Sequence, residues 1–300
     1  MPVPVFTHPR CLDHDPGRGH PESPERLRVV LAKLREAKAD LREAPPAQLG
    51  SLAGTHPPHY AADLEALAQG GAAMIGQDTV LNSASWEAAL AGLGQILAAV
   101  DHAHAGKGNA FAAVRPPGHH ASATRAMGFC LLSNAVLAAR HAQRLGRSRV
   151  LIVDWDVHHG NGTQDLVEQD PSIRFVSMHQ WPWYPGTGAA QERGVGNIFN
   201  VPRPPGLPAT GWGGYVESLW EGVFAATVEW TPELVLLSAG YDGMTGDPLG
   251  GFTLEPEHYA QWVTRIRERF PAVPVVGLLE GGYVPERLAL GVHTTVNALG

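Results

Sequence analysis

Charge is what this 300-residue chain has little of: Asp, Glu, Lys and Arg make up 17% of it, against 44% hydrophobic residues. The net charge is −7. No Lys/Arg cluster rises above a solvated helix end at 140–149, which argues against the basic footprint of a nucleic-acid binder. Cysteine is limited to Cys11 and Cys130, too few for a disulfide framework. No stretch approaches the ~18 apolar residues of a membrane span. The opening MPVPVFTHPR lacks the charged and then apolar regions of a secretory leader. These absences predict a cytoplasmic chain with neither nucleic acid nor membrane as partner, and they leave a homo-oligomer open. Gly (35) and Pro (25) make a fifth of the chain, below the ~25–30% of low-complexity sequence. What stands out instead is 15 His.

Short apolar runs alternate with segments of helical period, and no linker or repeat divides the chain, so residues 1–300 read as one domain. The strand candidates are 109–114, 149–153, 173–178, 234–238 and 273–279. They are continuous hydrophobic runs, as expected for strands buried on both faces of a parallel sheet. Helical candidates are 24–42, 57–67, 86–104, 131–145, 212–230, 256–269 and 285–298. Ser23 before Pro24 suits an N-cap, as does Ser83 or Ser85 for the third helix. The alternation predicts an α/β domain with a central, mainly parallel sheet and helices on both faces. The stretch 180–214 reads as a long irregular loop, and a loop of that length is usually functional.

Each strand candidate runs into polar sequence: RPPGHHA (115–121), DWDVHHGNGTQ (154–164), His179, AGYDGMTGDPLGG (239–251) and EGGY (280–283). Ligands bind outside the carboxyl ends of parallel strands, so these ends define a site. Asp154, Asp156 and His158 alternate and would project to one face. Two carboxylates and an imidazole side by side need compensation, which a divalent metal supplies. A catalytic zinc site takes three protein ligands, and Asp247 is the best third candidate. The adjacent His119 and His120 suit acid/base work, and Tyr283 could offer its phenol to an oxyanion. Cys130 reads as a packing residue, His14 and His20 as supports of the first loop, and Trp181 and Trp183 as the body of the long loop or its entrance.

The motifs HDPGRGHPESPERL (14–27), RPPGHHA, GFC (128–130), VDWDVHHGNGTQ, YPGTG (184–188), GYDGMTGDPLGG and LEGGY together resemble the histone deacetylase superfamily, in its bacterial class II-like and acetylpolyamine amidohydrolase-like branch. The resemblance implies the arginase/deacetylase fold and one Zn2+ held by Asp156, His158 and Asp247. It implies His120 as general base and acid beside His119, with Asp154 orienting His119 and Asn161 partnering His120. Tyr283 would polarise the scissile carbonyl. Gly128, Phe129, Tyr184 and Leu249 would line the acyl channel, where Tyr184 replaces the more usual Phe. Arg26 would sit at an inner cavity. Asp154, Asp156, His158, Ser177 and Met178 would form a structural monovalent-cation site, normally K+.

The activity so implied is hydrolysis of an acylated lysine in a protein or peptide, or of a small acylated amine. Acetylpolyamine hydrolysis is the near alternative. A polyamine-selective relative carries Glu after GDP where this chain has Leu249, which leans toward acyl-lysine. A dimanganese ureohydrolase would need further carboxylates, and a non-catalytic acyl-lysine binder would have no use for both histidines and Tyr283.

Overall fold

The computed structural model describes residues 2–300. All five apolar runs form strands, and they lie next to one another in the sheet. In chain order the strands are β1 (Pro4–Phe6), β2 (Asp40–Arg42), β3 (Ala73–Ile75), β4 (Thr79–Leu81), β5 (Ala110–Ala112), β6 (Val150–Asp154), β7 (Ile173–Gln180), β8 (Ile198–Arg203), β9 (Leu234–Ala239) and β10 (Val275–Leu279). The main sheet runs β2-β1-β5-β10-β9-β6-β7-β8, with every pairing parallel. β3 and β4 form a separate antiparallel hairpin. In the middle of the sheet, Val153 of β6 lies between Leu237 of β9 and Val176 of β7, all buried. The continuous apolar runs arise because both faces are covered.

The helices are α1 (Pro24–Glu36), α2 (Pro58–Gln69), α3 (Ser85–His104), α4 (Asn134–Arg144), α5 (Asn161–Val167), α6 (Tyr215–Ala226), α7 (Pro256–Arg269) and α8 (Pro285–Leu299). They form two layers: α2, α3, α4 and α5 contact one another in succession, and so do α1, α8, α7 and α6. Among the described residues no helix is long and apolar enough to cross a membrane.

Several expectations need correction. The first helix stops at Glu36, not at 42, because Lys38 turns with φ 55° and residues 40–42 pair with β1. The N-cap of α3 is Ala84, and Ser85 is its first helical residue, bonding Asn82 with its hydroxyl. Ser23 holds the N-cap position of α1 but makes no side-chain cap bond. The segment 180–214 is not all loop, since β8 lies within it. Its Pro202 is tolerated because β8 is an edge strand, where a missing N–H costs no ladder bond.

Candidate active site

A parallel sheet brings the carboxyl ends of its strands to one edge, and there the polar sequences meet. At the end of β5, Arg115 is fully buried against Glu22, at 2.6 and 2.7 Å, and the Cys11 carbonyl at 2.9 Å. Burial opposes charge on Glu22, but Arg115, His14 and Arg26 hold its carboxyl well below the usual range. Further along this loop, the N–H groups of Gly118 and His119 donate to one oxygen of Glu280, at 2.6 and 3.2 Å. Glu280 follows β10, so a single buried carboxyl ties the tandem-histidine loop to the EGGY turn. Burial pushes its pKa up to about 7.

The two histidines are set up oppositely. His119 donates from Nδ1 to Oδ2 of Asp154 at 3.1 Å and holds Nε2 3.7 Å from Asp156. Burial disfavours its charge, but Asp156 and Asp154 outweigh burial and raise its pKa well above the ordinary imidazole value. His120 meets Oδ1 of Asn161 at 2.7 Å through Nδ1. An amide oxygen only accepts, so Nδ1 carries the proton and Nε2 keeps its lone pair. Burial, with His119 and His158 nearby, lowers the His120 pKa well below its usual value. Two rings 4.0 Å apart thus favour different protonation states, the separation that acid/base chemistry uses.

Beyond β6 the chain curls around its own carboxylates. Asp154 accepts the Asp156 N–H at 3.1 Å, and Asp156 accepts those of His158 at 3.0 Å and Gly281 at 2.9 Å. His158 Nδ1 lies 3.1 Å from both Asp156 and Asp242. The donor atoms of Asp156, His158 and Asp242 all fall within 4.8 Å of one another. Asp247 stands outside this trio, its two oxygens accepting the N–H groups of Leu249 at 2.9 Å and Tyr283 at 2.7 Å. A Cβ at Gly240 or Gly281 would lie 2.1 or 2.6 Å from Oδ2 of Asp156, which is why both positions lack one. Burial opposes charge on His158, yet Asp156 and Asp242 lift its pKa to about 10. So much buried negative charge favours a cation, and oxygen and nitrogen donors at this density suit a divalent ion of the zinc kind.

Over these groups opens a cavity of about 230 Å³, lined by His120, His158, Tyr283, Gly128, Phe129, Tyr184, Leu249, Asp78 and Trp183. Burial and the nearby Asp242 push the Tyr283 phenol well above its usual pKa, which keeps its hydroxyl protonated. Tyr184 stands edge-on to His120 at 5.2 Å. Trp183, also in the lining, donates from its indole to the Leu249 carbonyl at 2.8 Å. Phe129 is held at φ 68°, a left-handed conformation that costs a non-glycine residue energy. The β3–β4 turn holds it there: Asp78 accepts the Gly128 N–H at 3.1 Å and Thr79 accepts the Phe129 N–H at 3.0 Å. Gly128 has φ 55°, and a Cβ on it would lie 2.2 Å from His120 Cδ2. Gly128→Ala is therefore expected to displace the His120 ring and cut turnover about 10²-fold, the scale of a 1 Å misplacement, with metal content unchanged. Full turnover in that variant would show that the ring does not need its present place.

Of the remaining expected residues, Arg26 lies behind the cavity, with its guanidinium 5.0 Å from the centre of the Tyr283 ring and Nε donating to the Gly282 carbonyl at 2.6 Å. Ser177 and Met178 are buried in β7, and Ser177 pairs in register with Asp154. Cys130 is buried with its thiol directed at the Gly128 carbonyl, and burial pushes its pKa well up. His14 bonds Ser85 at 2.8 Å, and His20 packs edge-on against Phe129 at 4.8 Å. Sequence reasoning passed over Asp242, Glu280, Glu22, Asp78 and Thr79. The first two lie inside motifs already singled out, and Glu22 sits in the HPESPERL segment. Asp78 and Thr79 had no motif to mark them.

The family profile described as the histone deacetylase domain matches residues 20–299. The chain belongs to the histone deacetylase family. A histone deacetylase-like amidohydrolase of Pseudomonas aeruginosa is 36% identical over 88% of this chain and 73% of its own length. Among solved structures, the HDA15 HD domain superposes with a TM-score of 0.92 at 34% identity, over 99% of this chain and 90% of that one. An acetylpolyamine aminohydrolase from Burkholderia pseudomallei gives 0.89 at 26% identity, over 99% and 98%. The family and the fold expected from the motifs are thus both correct.

Proposed function

We propose that this family member is a zinc-dependent deacylase that hydrolyses the amide of acyl-lysine or a related acylated amine. The observation that carries the reading is His120, His158 and Tyr283 lining one aromatic-walled cavity, with the His119 ring 4.0 Å from that of His120, Asp156 against His158 and Asp247 holding the Tyr283 backbone. Asp156, His158 and Asp247 would hold the ion, with Asp242 beside them at 3.1 Å from His158 Nδ1. When bound, zinc supplies Lewis acidity that polarises a carbonyl and acidifies water. Phe129 and Tyr184 flank the acyl chain and exclude bulk water. His120 takes the proton of the attacking water at Nε2, while Asn161 holds its Nδ1–H. His119, whose Nδ1–H is held by Asp154, stabilises the negative charge of the reacting centre, and the proton on His120 passes to the leaving amine. Tyr283 donates its hydroxyl to the developing oxyanion. A K+ ion among Asp154, Asp156, His158, Ser177 and Met178 is part of the same reading, supported by the register that sets Asp154 beside Ser177.

Acetylpolyamine hydrolysis is the second reading, favoured by the Asp78 carboxylate at the cavity mouth. The deciding experiment is a panel of acetyl-, propionyl- and longer acyl-lysine substrates beside N-acetylputrescine, with and without a chelator and with metal content measured. Chelator-sensitive release of the acyl group is expected. No turnover of any acyl amine by metal-loaded protein would overturn the reading. His120→Ala is expected to keep its metal and lose about 10²-fold or more in turnover, the worth of a positioned base.

A further inference from the structure

Beside the reacting cavity lies a second concave space of about 400 Å³ that shares Asp78 and Tyr184 with it. Its walls include Gln77 from the β3–β4 turn, Arg125 and Met127 from the segment after the tandem histidines, and Pro185. Among the described residues, the reacting cavity carries no ionisable lining residue besides its histidines, Tyr184, Tyr283 and Asp78. Asp78 and Arg125 are thus the anion and the cation of the adjoining space.

Some surface arginines have carboxylate partners, as Arg10 has Glu87 and Arg149 has Glu233, and others such as Arg35 and Arg193 have none among the described residues; among the unpaired ones, Arg125 lines the space beside the reacting cavity. Arg125 is exposed, and its carbonyl accepts the Ser122 N–H to close a turn, but its guanidinium enters no ion pair among the described residues. Asp165 is close enough to feel its charge without pairing with it. Asp78 spends one oxygen on the Gly128 N–H and the Thr79 hydroxyl, and it too lacks an ion-pair partner. A carboxylate and a guanidinium unpaired in one groove match a ligand that carries both an amino group and a carboxylate. A guanidinium prefers the planar carboxylate, which it can hold through two parallel hydrogen bonds.

We propose that this groove is a specificity subsite for the α-carboxylate of the substrate, held by Arg125, with the α-amino group facing Asp78. The preferred substrates are then free Nε-acyl-lysine and chains that end in it, not polyamines, whose cationic tail Arg125 repels. The proposal rests on the deacylase reading above.

Nε-acetyl-lysine and N-acetylcadaverine test it directly, because they differ only by that carboxylate. In the metal-loaded wild type, kcat/KM for Nε-acetyl-lysine is expected to exceed that for N-acetylcadaverine by about tenfold or more, the scale of one charge-assisted hydrogen-bond pair. Arg125→Gln should erase the gap through KM with kcat unchanged, since the contact is made equally in ground and transition states. Arg125→Lys should restore part of it, and Arg125→Glu should reverse the order. Equal kcat/KM for the two compounds in wild type, or a gap that survives in Arg125→Gln, overturns this inference alone. Turnover of neither compound nor any other acyl amine overturns the deacylase reading and this inference with it.

Discussion

Asp247→Ala is expected to empty the metal site and abolish turnover, the largest effect of any single substitution considered. Two carboxylates compete for the third ligand position. Asp242 is fully buried and one oxygen accepts the Val157 N–H at 2.8 Å; neither carboxylate lines the cavity itself, but Asp247 is the more exposed of the two, at 7% against 0%. Asp247 sits between two residues that line it, Leu249 and Tyr283, and accepts a backbone N–H from each. A catalytic ion needs an open position that water and substrate can reach, which favours the carboxylate on the cavity side. Removing it also frees the Tyr283 backbone, so the oxyanion donor loses its anchor at the same time. The check is metal content by mass spectrometry alongside kinetics, with Asp247→Asn and Asp242→Asn in parallel. Retention of metal by both Asp247 variants and its loss from Asp242→Asn would assign the ligand to Asp242 instead.

Tyr283→Phe is expected to lower kcat by about 10²–10³, the range seen when one oxyanion donor is removed, with metal content and KM nearly unchanged. Only the hydroxyl is lost. The ring keeps its edge-on contact with Phe129 at 5.8 Å, and Arg26 keeps its place over it. Burial and Asp242 keep the phenol protonated, so the hydroxyl is a donor throughout the working pH range. A fixed donor in a partly dry pocket is worth more than a mobile water, because it needs no reorientation as charge develops. Steady-state kinetics on an acetyl-lysine substrate read the effect. An unchanged kcat would reduce Tyr283 to a packed turn residue, and binding without turnover by both forms would favour the non-catalytic reading.

Legibility in the sequence followed the range of the interactions involved. Five of the six interior strands were readable because Val, Leu and Ile run without interruption wherever both faces are covered. The three-residue β1, Pro-Val-Phe, and the two edge strands were not. β2 is Asp-Leu-Arg and β8 contains Pro202, so neither shows an apolar run. Both exist because a neighbouring strand offers them a ladder, and that neighbour is distant in the chain. α1 ends early for the same reason: helical periodicity continues to residue 42, but pairing with β1 claims residues 40–42. Such tertiary override of local preference is common for short segments.

Within the candidate site the division is similar. The tandem histidines, the D-x-D-x-H alternation, the GDP aspartate and the EGGY tyrosine could be read directly, since each sits where an apolar run ends. The sequence by itself determined the family, the parallel sheet and the chemical types assembled at its carboxyl edge. Only the tertiary structure decided how those groups are charged and held. His119 and His120 are the same side chain one residue apart, yet Asp156 and Asp154 raise the pKa of the first while burial and the neighbouring His119 and His158 lower that of the second. Glu280 holds the histidine loop from 162 residues away, and Asp78 and Thr79 clamp the strained Phe129 from 50. Electrostatic shifts and hydrogen-bond anchors act through space at a few ångströms in a low-dielectric interior, so no spacing rule along the chain could have shown which distant residue would supply them.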